Sequence, residues 1–547
     1  MMLHRVWNWL KTPRGNRAWR PGLVLLYLTV AGGFVHKLSS YYIPQYGFTY
    51  LIEQGDEPKR EYDWIEERDV TVYRHFRSSG YDAQYYAQLA LDPALLDPSL
   101  VKSVDNLPYR ARRILLPWIA YVFGLGQPNW ILNFYAIQNA ICWFLLGWLL
   151  LRWFPPTNID RAFRWGAIML SIGLWFSALF SLVDGPSLLL IALALRWVEQ
   201  GHPWRASAIL ALGGLAKETN LLSAAVLAPE RWKNMNGWGK SVVQGLLVAL
   251  PLVVWFLVLR WRFSETGSLA GVRNFAWPFM AYGERWAELI RGMMEGGIRW
   301  KFLLAGLATH LSITVQAVFL FGWWQWKKAA WRLTVPFAVL AFTLGYAVWE
   351  GYPGASSRVL LPLLLGFNLL VPKARKWLPV LILGNLTMFV GPFSMESRPA
   401  EIHSVQISDT AVLAEQEQSA EVSVEFPRPW YGAERNGKQH WRWSEADADI
   451  VINNPYSVAL EVELRGEWAA QDNRTARVMQ NGQLWWEQSI DRRVRDWRLA
   501  GIILEPGENR IRIESDATSV GTDSADERKL AVSLFRFVIK GRPIAPE

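Results

Sequence analysis

The sequence predicts a polytopic α-helical membrane protein with about eleven transmembrane helices, followed by a C-terminal all-β sandwich domain. Of the 547 residues, 51% are hydrophobic and only 19% are charged, and the apolar residues are concentrated in long runs. From about residue 400 the pattern changes to short alternating segments. Because half of the chain is apolar and 33 residues are Trp, disordered, collagen-like and disulfide-stapled classes are excluded.

Long apolar runs predict the membrane-spanning helices. A helix needs about 20 apolar residues to cross about 30 Å of hydrocarbon. The runs that best approach this length are 21–35 with its flanks, 130–151, 165–182, 241–259, 302–324, 333–349, 359–371 and 377–390. No small-residue cleavage site follows the first run, so we expect a retained first helix rather than a cleaved signal peptide.

The positions of Lys and Arg predict the orientation in the membrane, because positively charged loops stay on the cytoplasmic side. Residues 1–399 carry 39 Lys and Arg against 23 Asp and Glu, whereas 400–547 carry 18 against 25. The net charge of +9 therefore comes from the apolar part of the chain. We expect cytoplasmic locations for the N-terminus, 1–20, and for the basic connections within 152–164, 196–205, 231–240, 327–332 and 373–376. The expected outer segments are 39–128, the surroundings of Asp184 and Lys217, 261–301 and 350–358.

Two apolar runs do not fit a simple span. The run 114–126 is short and follows three arginines, so it predicts a juxtamembrane helix at the outer surface. The run 206–229 carries Lys217 and Glu218 at its middle, and charges are costly at the bilayer centre. It therefore predicts two short helices that meet near the outer face. The membrane domain is expected over 21–395, and an odd number of spans places the C-terminus outside.

The segment 400–547 has the pattern of a β-sandwich. Apolar residues alternate in short stretches, separated by turn residues such as Asn453-Asn454-Pro455 and Pro506-Gly507. The expected strands cover 421–426, 449–453, 458–464, 498–504, 510–514 and 530–539. Because the C-terminus is expected outside, this domain is expected in the periplasm.

The large outer segment contains the first candidate site residue. It holds twelve acidic residues between Glu53 and Asp105, and within it the stretch 80–90 predicts a short amphipathic helix with Asp82 in its first turn. A carboxylate at this position is stabilised by the helix dipole and by free N–H groups. Asp82 is therefore either a helix cap or a group with a chemical role.

Three further sites place charges beside apolar runs. Asp184 is either a functional ionisable group or the cap of the helix that Pro186 starts. Lys217 and Glu218 either pair with each other or mark a substrate site beside broken helices. Arg358 begins a helix, where a cation is unfavourable to the dipole, so an anionic partner is expected.

These charges converge on one predicted face of the membrane. The loop charges place Asp82, Asp184, Lys217, Glu218 and Arg358 on the outer side. Two carboxylates can supply a general base for an acceptor hydroxyl or amine, and two cations can hold a phosphate leaving group. The pattern favours a site for glycosyl transfer from a lipid phosphate.

Other chemistry has little support in the sequence. A single cysteine, Cys142, precludes an intrachain disulfide and a Cys-based metal cluster. There is no P-loop, no GxGxxG after a strand and no HExxH, and the seven His are scattered. Asp447-Ala448-Asp449 has the form of an acidic triplet but precedes a strand, so we interpret it as a surface turn. Neither nucleotide-dependent chemistry nor a nucleic-acid partner is expected.

In the order and sidedness of several short motifs, residues 20–375 resemble the GT-C superfamily of polyprenyl-phosphate-dependent glycosyltransferases. This superfamily includes the protein mannosyltransferases and the lipid A aminoarabinose transferases. The matching motifs are Asp82-Ala83-Gln84-Tyr85-Tyr86-Ala87, Pro117-Trp118, Asp184-Gly185-Pro186, the segment 214–219 and the segment 358–362.

The resemblance implies a role for each matching residue. Asp82 would be the catalytic base that activates the acceptor, and Asp184 would assist it or help to hold the acceptor or a metal. Lys217 and Arg358 would contact the donor phosphate. The supporting residues would be Glu218, Tyr85 and Gln84.

The reaction implied by the resemblance is the inverting transfer of a sugar from a polyprenyl-phosphate donor. The acceptor would be a glycan, lipid or protein on the periplasmic side of a bacterial inner membrane. No cofactor is certain, and the resemblance leaves room for a divalent cation, Mg²⁺ or Mn²⁺. The chain departs from the mannosyl and aminoarabinose types in Lys217-Glu218-Thr219 and in its sandwich, so neither the donor sugar nor the acceptor carries over.

Two other classes of function remain open at the level of sequence. A transporter or flippase of a lipid-linked saccharide shares the broken helices and buried charges, but it needs no long acidic outer loop, and the sequence lacks the expected repeat between halves. A non-catalytic scaffold for envelope assembly would use the sandwich to bind a carbohydrate polymer. The aromatic motifs Trp430-Tyr431-Gly432 and Trp441-Arg442-Trp443 would then stack on sugar rings, although a role in the sandwich core is favoured.

Overall fold

A computed structural model describes most of the chain, in two compact units, Met1–Ser397 and Arg398–Glu547. The described residues are 13–43, 46–55, 64–65, 68, 70–75, 78–263, 274–295, 300–349, 354–393, 402–414, 417–418, 420–436, 439–516, 520–521 and 529–544. Most of the expected cytoplasmic N-terminus lies outside these residues. So do seven of the twelve acidic residues of the outer segment and parts of 261–301 and 350–358.

The first unit is helical. Its α-helices are α1 (Pro13–Ser39), α2 (Asp82–Leu91), α3 (Leu100–Ser103), α4 (Leu107–Arg110), α5 (Leu115–Phe123), α6 (Pro128–Leu150), α7 (Ile159–Met169), α8 (Ile172–Leu179), α9 (Asp184–Glu199), α10 (Pro203–Ala216), α11 (Met235–Arg262), α12 (Met280–Glu295), α13 (Trp300–Gly322), α14 (Ala329–Thr343), α15 (Tyr346–Trp349), α16 (Ala355–Val359), α17 (Leu361–Leu370) and α18 (Leu378–Leu383). Short 3₁₀-helices cover Thr49–Ile52, Ala111–Arg113, Glu218–Leu227, Arg375–Trp377, Leu386–Phe389 and Gly391–Phe393. Strands β1 (Gln54–Gly55) and β2 (Arg74–His75) form one short parallel pair.

The helix lengths support a membrane protein but do not confirm eleven spans. Among the described residues, four helices are long and apolar enough to cross a membrane, namely α1 from Arg20, α6, α11 and α13. The number rises to six if two bent pairs, Ile159–Met169 with Ile172–Leu179 and Arg375–Leu383 with Leu386–Phe393, each form one span. Other apolar runs form shorter helices. The 16 residues of α9 extend for about 24 Å, less than the thickness of the hydrocarbon core.

The two runs that did not fit a simple span have the predicted local form. Helix α5 is the short helix predicted in the run 114–126, and its position at the outer surface stays a prediction. The run 206–229 is broken where expected: α10 ends at Ala216, Lys217 is extended with φ −162° and ψ 131°, and a 3₁₀-helix begins at Glu218. An extended residue between two helices directs neighbouring side chains to different sides, which decides the partners of Lys217 and Glu218.

The second unit has two large β-sheets around one core and a short two-stranded sheet. Its strands are β3 (His403–Ile407), β4 (Ser423–Glu425), β5 (Glu434–Asn436), β6 (Gln439–Trp443), β7 (Ala448–Asn454), β8 (Leu460–Ala469), β9 (Arg474–Gln480), β10 (Gln483–Ile490), β11 (Arg495–Leu504), β12 (Gly507–Ser515), β13 (Val520–Gly521), β14 (Lys529–Leu530) and β15 (Ser533–Pro543), with a 3₁₀-helix at Thr410–Val412. One large sheet has the order β10-β9-β12-β7-β4, and the other has the order β11-β8-β15-β6-β5 with β3 parallel to β15, while β13 and β14 form the short sheet. Alternate residues of both large sheets fill a common core, as the period of two predicts.

Two sequence motifs of this unit have structural roles. The side chain of Asp449 contacts Arg510 and Arg512 at the surface, and Asp447 lies beside them, so the acidic triplet is a surface feature. Trp430 is buried in the core and its indole N–H donates to the Asp449 carbonyl oxygen at 2.9 Å. Trp441 is partly buried and packs on Phe535.

Trp468 is the central aromatic residue of the sandwich core, and its removal tests the packing. It is fully buried, its ring lies 5.3 Å from that of Trp497, and its indole N–H donates to Gln488. Trp468→Ala should destabilise this unit by about 3–5 kcal/mol, because it leaves a cavity and removes the hydrogen bond to the side-chain oxygen of Gln488. Leu484→Ala, at an exposed position of β10, should change stability by less than about 0.5 kcal/mol. Pulse proteolysis of the full chain with a C-terminal tag measures both, and equal cleavage of the two variants would contradict the assigned core.

Candidate functional site

The structure brings the five predicted charges, which come from four segments of the chain, into one region of the first unit. Asp82 is the first residue of α2 and Asp184 is the first residue of α9. Lys217 and Glu218 lie at the break after α10, and Arg358 lies in α16. Asp184, Lys217 and Arg358 are buried.

Asp184 forms the centre of a buried triad with two cations. Its Oδ1 accepts a hydrogen bond from Lys217 Nζ, and its Oδ2 accepts one from Arg358 Nη1 at 2.9 Å. The Asp184 side chain is only 2% exposed, and the two cations are 8% exposed. Charges so removed from water persist only when they are paired, so the three groups depend on one another.

A strained turn before α9 fixes the position of Asp184. Ser181 has a left-handed backbone with φ 47°, and its hydroxyl donates to the Ala136 carbonyl oxygen at 2.9 Å. The Tyr135 hydroxyl donates in turn to the Ser181 carbonyl oxygen at 3.1 Å. Ser177 then accepts the Gly185 N–H at 2.7 Å, directly beside the carboxylate. These bonds offset the cost of the unusual backbone and hold the first turn of α9 in place.

Two glycines allow Arg358 to reach Asp184. Gly354 precedes α16 with φ +66°, which L side chains rarely adopt. A Cβ on Gly173 of α8 would lie 2.5 Å from the Ser357 carbonyl oxygen, so the backbones of α8 and α16 touch at this point. The second arm of the Arg358 guanidinium, Nη2, donates to the Tyr81 hydroxyl at 2.9 Å.

Asp82 belongs to a second charged group, centred on Arg110. Arg110 Nη1 lies 2.9 Å from Asp82 Oδ1, while Nε and Nη2 bind both oxygens of Asp105 at 2.9 and 2.7 Å. Arg110 is buried, but the Asp82 side chain is 32% exposed. Asp82 therefore combines a fixed position with access to solvent, whereas Asp184 is enclosed.

Glu218 and Lys217 do not pair with each other, so that alternative from the sequence is wrong. Arg113 Nε binds Glu218 Oε2 at 3.0 Å, and its other nitrogens donate to the hydroxyls of Tyr86 at 2.7 Å and Tyr109 at 3.2 Å. Because Lys217 is extended, its ammonium turns to Asp184 while the Glu218 carboxylate turns to Arg113.

Tyr81 connects the two carboxylates. It precedes α2 and lies next to Asp82 in the chain, and its hydroxyl accepts from Arg358. Burial raises the pKa of Tyr81 to about 12, the charge on Arg358 opposes this rise, and Asp82 and Asp184 add to it. The phenol is therefore protonated at neutral pH and keeps an O–H that can donate.

Gln84 and Tyr85 support the site by packing and by holding its loop. Gln84 Oε1 accepts the Gly55 N–H at 3.3 Å, and Gln84 Nε2 donates to the Ser79 carbonyl oxygen at 2.8 Å. The Arg110 guanidinium lies 4.9 Å from the centre of the buried Tyr85 ring. Both residues fix the start of α2 and the guanidinium that holds Asp82.

The donor set does not fit a divalent cation. Among the described residues, no three His, Cys, Asp or Glu side chains lie together as a metal site. Both oxygens of Asp184 are bound to cationic side chains, and Asp82 shares Arg110 with Asp105. A divalent cation would have to displace these cations, so the carboxylates of Asp82, Asp105 and Asp184, paired as they are, do not fit Mg²⁺ or Mn²⁺.

Sequence reasoning missed Tyr81, Arg110 and Arg113. The two arginines carry a signal, because Arg110, Arg112 and Arg113 precede an apolar helix on the same predicted face as the other charges. Buried cations beside an acidic segment imply ion pairs. The role of Tyr81 had no such signal, since its partner Arg358 is 277 residues away in the chain.

Comparisons with known proteins establish no family. No family model and no curated protein sequence matches the chain. The cryo-EM structure of the arabinosyltransferase EmbB from Mycobacterium smegmatis aligns with 96% of this chain and 64% of that chain, at 11% identity and a TM-score of 0.28. The crystal structure of the GH26-CBM35 β-(1,4)-mannanase from Podospora anserina aligns with 24% of this chain and 27% of that chain, at 15% identity and a TM-score of 0.14. This chain spans less than two thirds of both, and these TM-scores are too low to establish a shared fold.

Replacing Asp184 by the neutral Asn tests whether the two buried cations need its charge. Asp184→Asn should destabilise the protein by about 3–5 kcal/mol, because it leaves Lys217 and Arg358 buried without a counter-charge. A second change, Lys217→Gln, should restore part of this loss by removing one of the two cations. The midpoint of thermal unfolding in detergent measures both effects.

Asp105→Asn is the matched control for this experiment. Asp105 is partly exposed, and Arg110 keeps its bond to Asp82, so the loss should be less than about 1 kcal/mol. If Asp184→Asn were as stable as Asp105→Asn, the burial of Lys217 and Arg358 would not depend on the charge of Asp184.

Proposed function

We propose that the protein is a membrane glycosyltransferase that moves a sugar from a polyprenyl-phosphate donor to an envelope acceptor. The transfer takes place on the periplasmic side of a bacterial inner membrane and inverts the anomeric configuration. The proposal rests on the motif resemblance together with the opposite charges of two neighbouring groups. The triad of Asp184, Lys217 and Arg358 has one positive charge in excess, whereas Asp82 and Asp105 around Arg110 have one negative charge in excess.

Asp82 is the better candidate for the catalytic base. A base has to take up a proton from the acceptor, and its carboxylate must be reachable. Asp82 is about one third exposed and bound through Oδ1, whereas Asp184 is enclosed and bound through both oxygens. We therefore assign acceptor activation to Asp82 and a positioning role to Asp184, which holds Lys217 and Arg358.

The positive triad is the candidate site for the donor phosphate. Fixed cations at the leaving group stabilise the negative charge that develops as the bond to the sugar breaks. Asp184 neutralises only one of the two cations, so the surplus positive charge of the triad attracts the phosphate. Contact is proposed at the 8% of the Lys217 and Arg358 side chains that stays exposed. The protonated hydroxyl of Tyr81 lies beside Arg358 and can add a hydrogen bond to the same group.

The proposed reaction is a single displacement. The acceptor oxygen or nitrogen forms a bond to the anomeric carbon while its proton passes to the Asp82 carboxylate. The bond between the anomeric carbon and the phosphate oxygen breaks, and the polyprenyl phosphate leaves with that electron pair. Attack opposite to the leaving group inverts the anomeric configuration, and no covalent sugar–protein intermediate forms.

The assignment of the base predicts a loss of turnover without a loss of structure. Asp82→Asn removes the base but keeps the size of the side chain, and Arg110 keeps its two bonds to Asp105. Turnover of a synthetic polyprenyl-phosphate sugar should fall by about a hundredfold or more, while membrane insertion and thermal stability stay near wild type. Activity of the wild-type level in this variant would overturn the assignment.

Asp92→Asn is the matched control for Asp82→Asn. Asp92 follows the last residue of the same helix, and its carboxylate accepts the Asp97 N–H at 2.8 Å. The control should retain turnover within about tenfold, because its carboxylate lies at the opposite end of α2 from the proposed base. An equal loss in both variants would indicate that the acidic outer segment acts only through its fold or its charge.

Removal of the sandwich unit separates an enzyme from a scaffold. All residues of the proposed site lie in the first unit, so a chain that ends at residue 399 should retain measurable turnover. A scaffold that binds an envelope polymer through the sandwich should lose all of its function. Complete loss of turnover in a truncated chain that still inserts and folds would contradict the proposed location of the chemistry.

A further inference from the structure

A cavity of about 700 Å³ lies away from the charged cluster, between the start of α11 and the connection from α13 to α14. Its lining combines three Trp with three cations and one acid. These residues are Glu230, Arg231, Trp232, Trp324, Trp326, Lys327 and Lys328. The cavity therefore carries two positive charges in excess beside an aromatic wall.

The aromatic wall is held in place by specific contacts. The rings of Trp232 and Trp326 are 4.7 Å apart at 78°, and Trp238 lies 5.3 Å from Trp232. The indole N–H of Trp326 donates to the Pro229 carbonyl oxygen at 2.9 Å. Trp232 and Trp324 nevertheless remain 62% and 69% exposed, so their faces are available to a ligand.

Helix α11 relates this cavity to the charged cluster. Near its start, Trp238 packs on the aromatic wall, and further along Trp255 donates to the Ala111 carbonyl oxygen beside Arg110 at 2.7 Å. The rise along the helix between these two residues is about 26 Å, close to the thickness of the hydrocarbon core. The cavity and the charged cluster thus lie near opposite ends of a candidate membrane span.

The chemistry of the cavity matches the headgroup region of a bilayer. Trp side chains concentrate at the level of the headgroups, and basic pockets between helices bind phosphate-bearing lipids. Next along the chain from the cavity, α11 exposes the apolar side chains of Val242, Val243 and Leu246. A soluble anion would gain nothing from this apolar strip, whereas an acyl chain would pack along it.

We propose that this cavity binds the headgroup of an anionic phospholipid at the membrane face opposite to the charged cluster. The phosphate contacts Arg231, Lys327 and Lys328, the glycerol region lies against Trp232 and Trp324, and an acyl chain follows the exposed side of α11. Glu230, which also lines the cavity, disfavours a headgroup of high negative charge, so a singly charged phospholipid fits best.

Native mass spectrometry of the purified full chain in neutral detergent tests this site. Phosphatidylglycerol and phosphatidylcholine with the same acyl chains are the probes, and the wild-type chain should bind the first more tightly. Lys328→Gln should weaken phosphatidylglycerol binding roughly fivefold, and the triple variant Arg231→Gln, Lys327→Gln, Lys328→Gln by roughly fivefold for each cation. Binding of phosphatidylcholine should stay nearly unchanged.

A second basic cluster provides the matched control. Lys373, Arg375 and Lys376 are exposed at the 3₁₀-helix Arg375–Trp377 and do not line the cavity. Their triple change to Gln removes the same charge and should leave the phosphatidylglycerol preference intact. An equal loss in both triple variants, or no loss in the first, would overturn the proposal. Glycerol phosphate that binds as tightly as phosphatidylglycerol would also overturn it, because the occupant would then be a soluble phosphate.

Discussion

The buried carboxylate of Asp184 is the constraint on which the charged cluster depends. Its two oxygens bind Lys217 and Arg358, groups that lie 33 and 174 residues further along the chain. None of the three charges can be enclosed without the others, because an unpaired ion in an apolar interior is strongly unfavourable. Three backbone features position the members of the triad. The strained turn at Ser181 positions Asp184, the break after α10 positions Lys217, and the close contact at Gly173 positions Arg358.

The surrounding charges are arranged in groups that differ in sign. The Arg113–Glu218 pair is neutral, the Asp184 triad is positive, and the group around Arg110 is negative. The Tyr81 hydroxyl touches the positive group, while the backbone of Tyr81 continues into Asp82 of the negative group. In the proposed reaction, this separation provides an anion-binding side for the donor and a proton-accepting side for the acceptor.

Local patterns in the sequence predict several helices and strands, but they do not predict which residues the charged side chains bind. The helix that contains Asp82 and the break at Lys217 are confirmed, because both follow from patterns of neighbouring residues. The N-cap of this helix is Tyr81, so Asp82 is not its cap. The alternating strands after residue 400 are confirmed for the same reason. The partners of Lys217, Glu218 and Arg358 depend on which helices pack together, and local sequence patterns do not reveal contacts between residues 33 to 174 positions apart. The expected number of spans is unconfirmed because several apolar runs fold as helices of 10–16 residues.

The position of β15 has a consequence for the order in which the second unit is assembled. This strand pairs with β8 on one side, with β6 at its start on the other, and with β3 in parallel further along. During synthesis, β3, β6 and β8 are therefore made well before the strand that joins them. Until residues 533–543 are available, these strands present open edges, which favour pairing with other chains. The six-stranded sheet thus closes late, and its earlier strands need protection from such pairing in the interval.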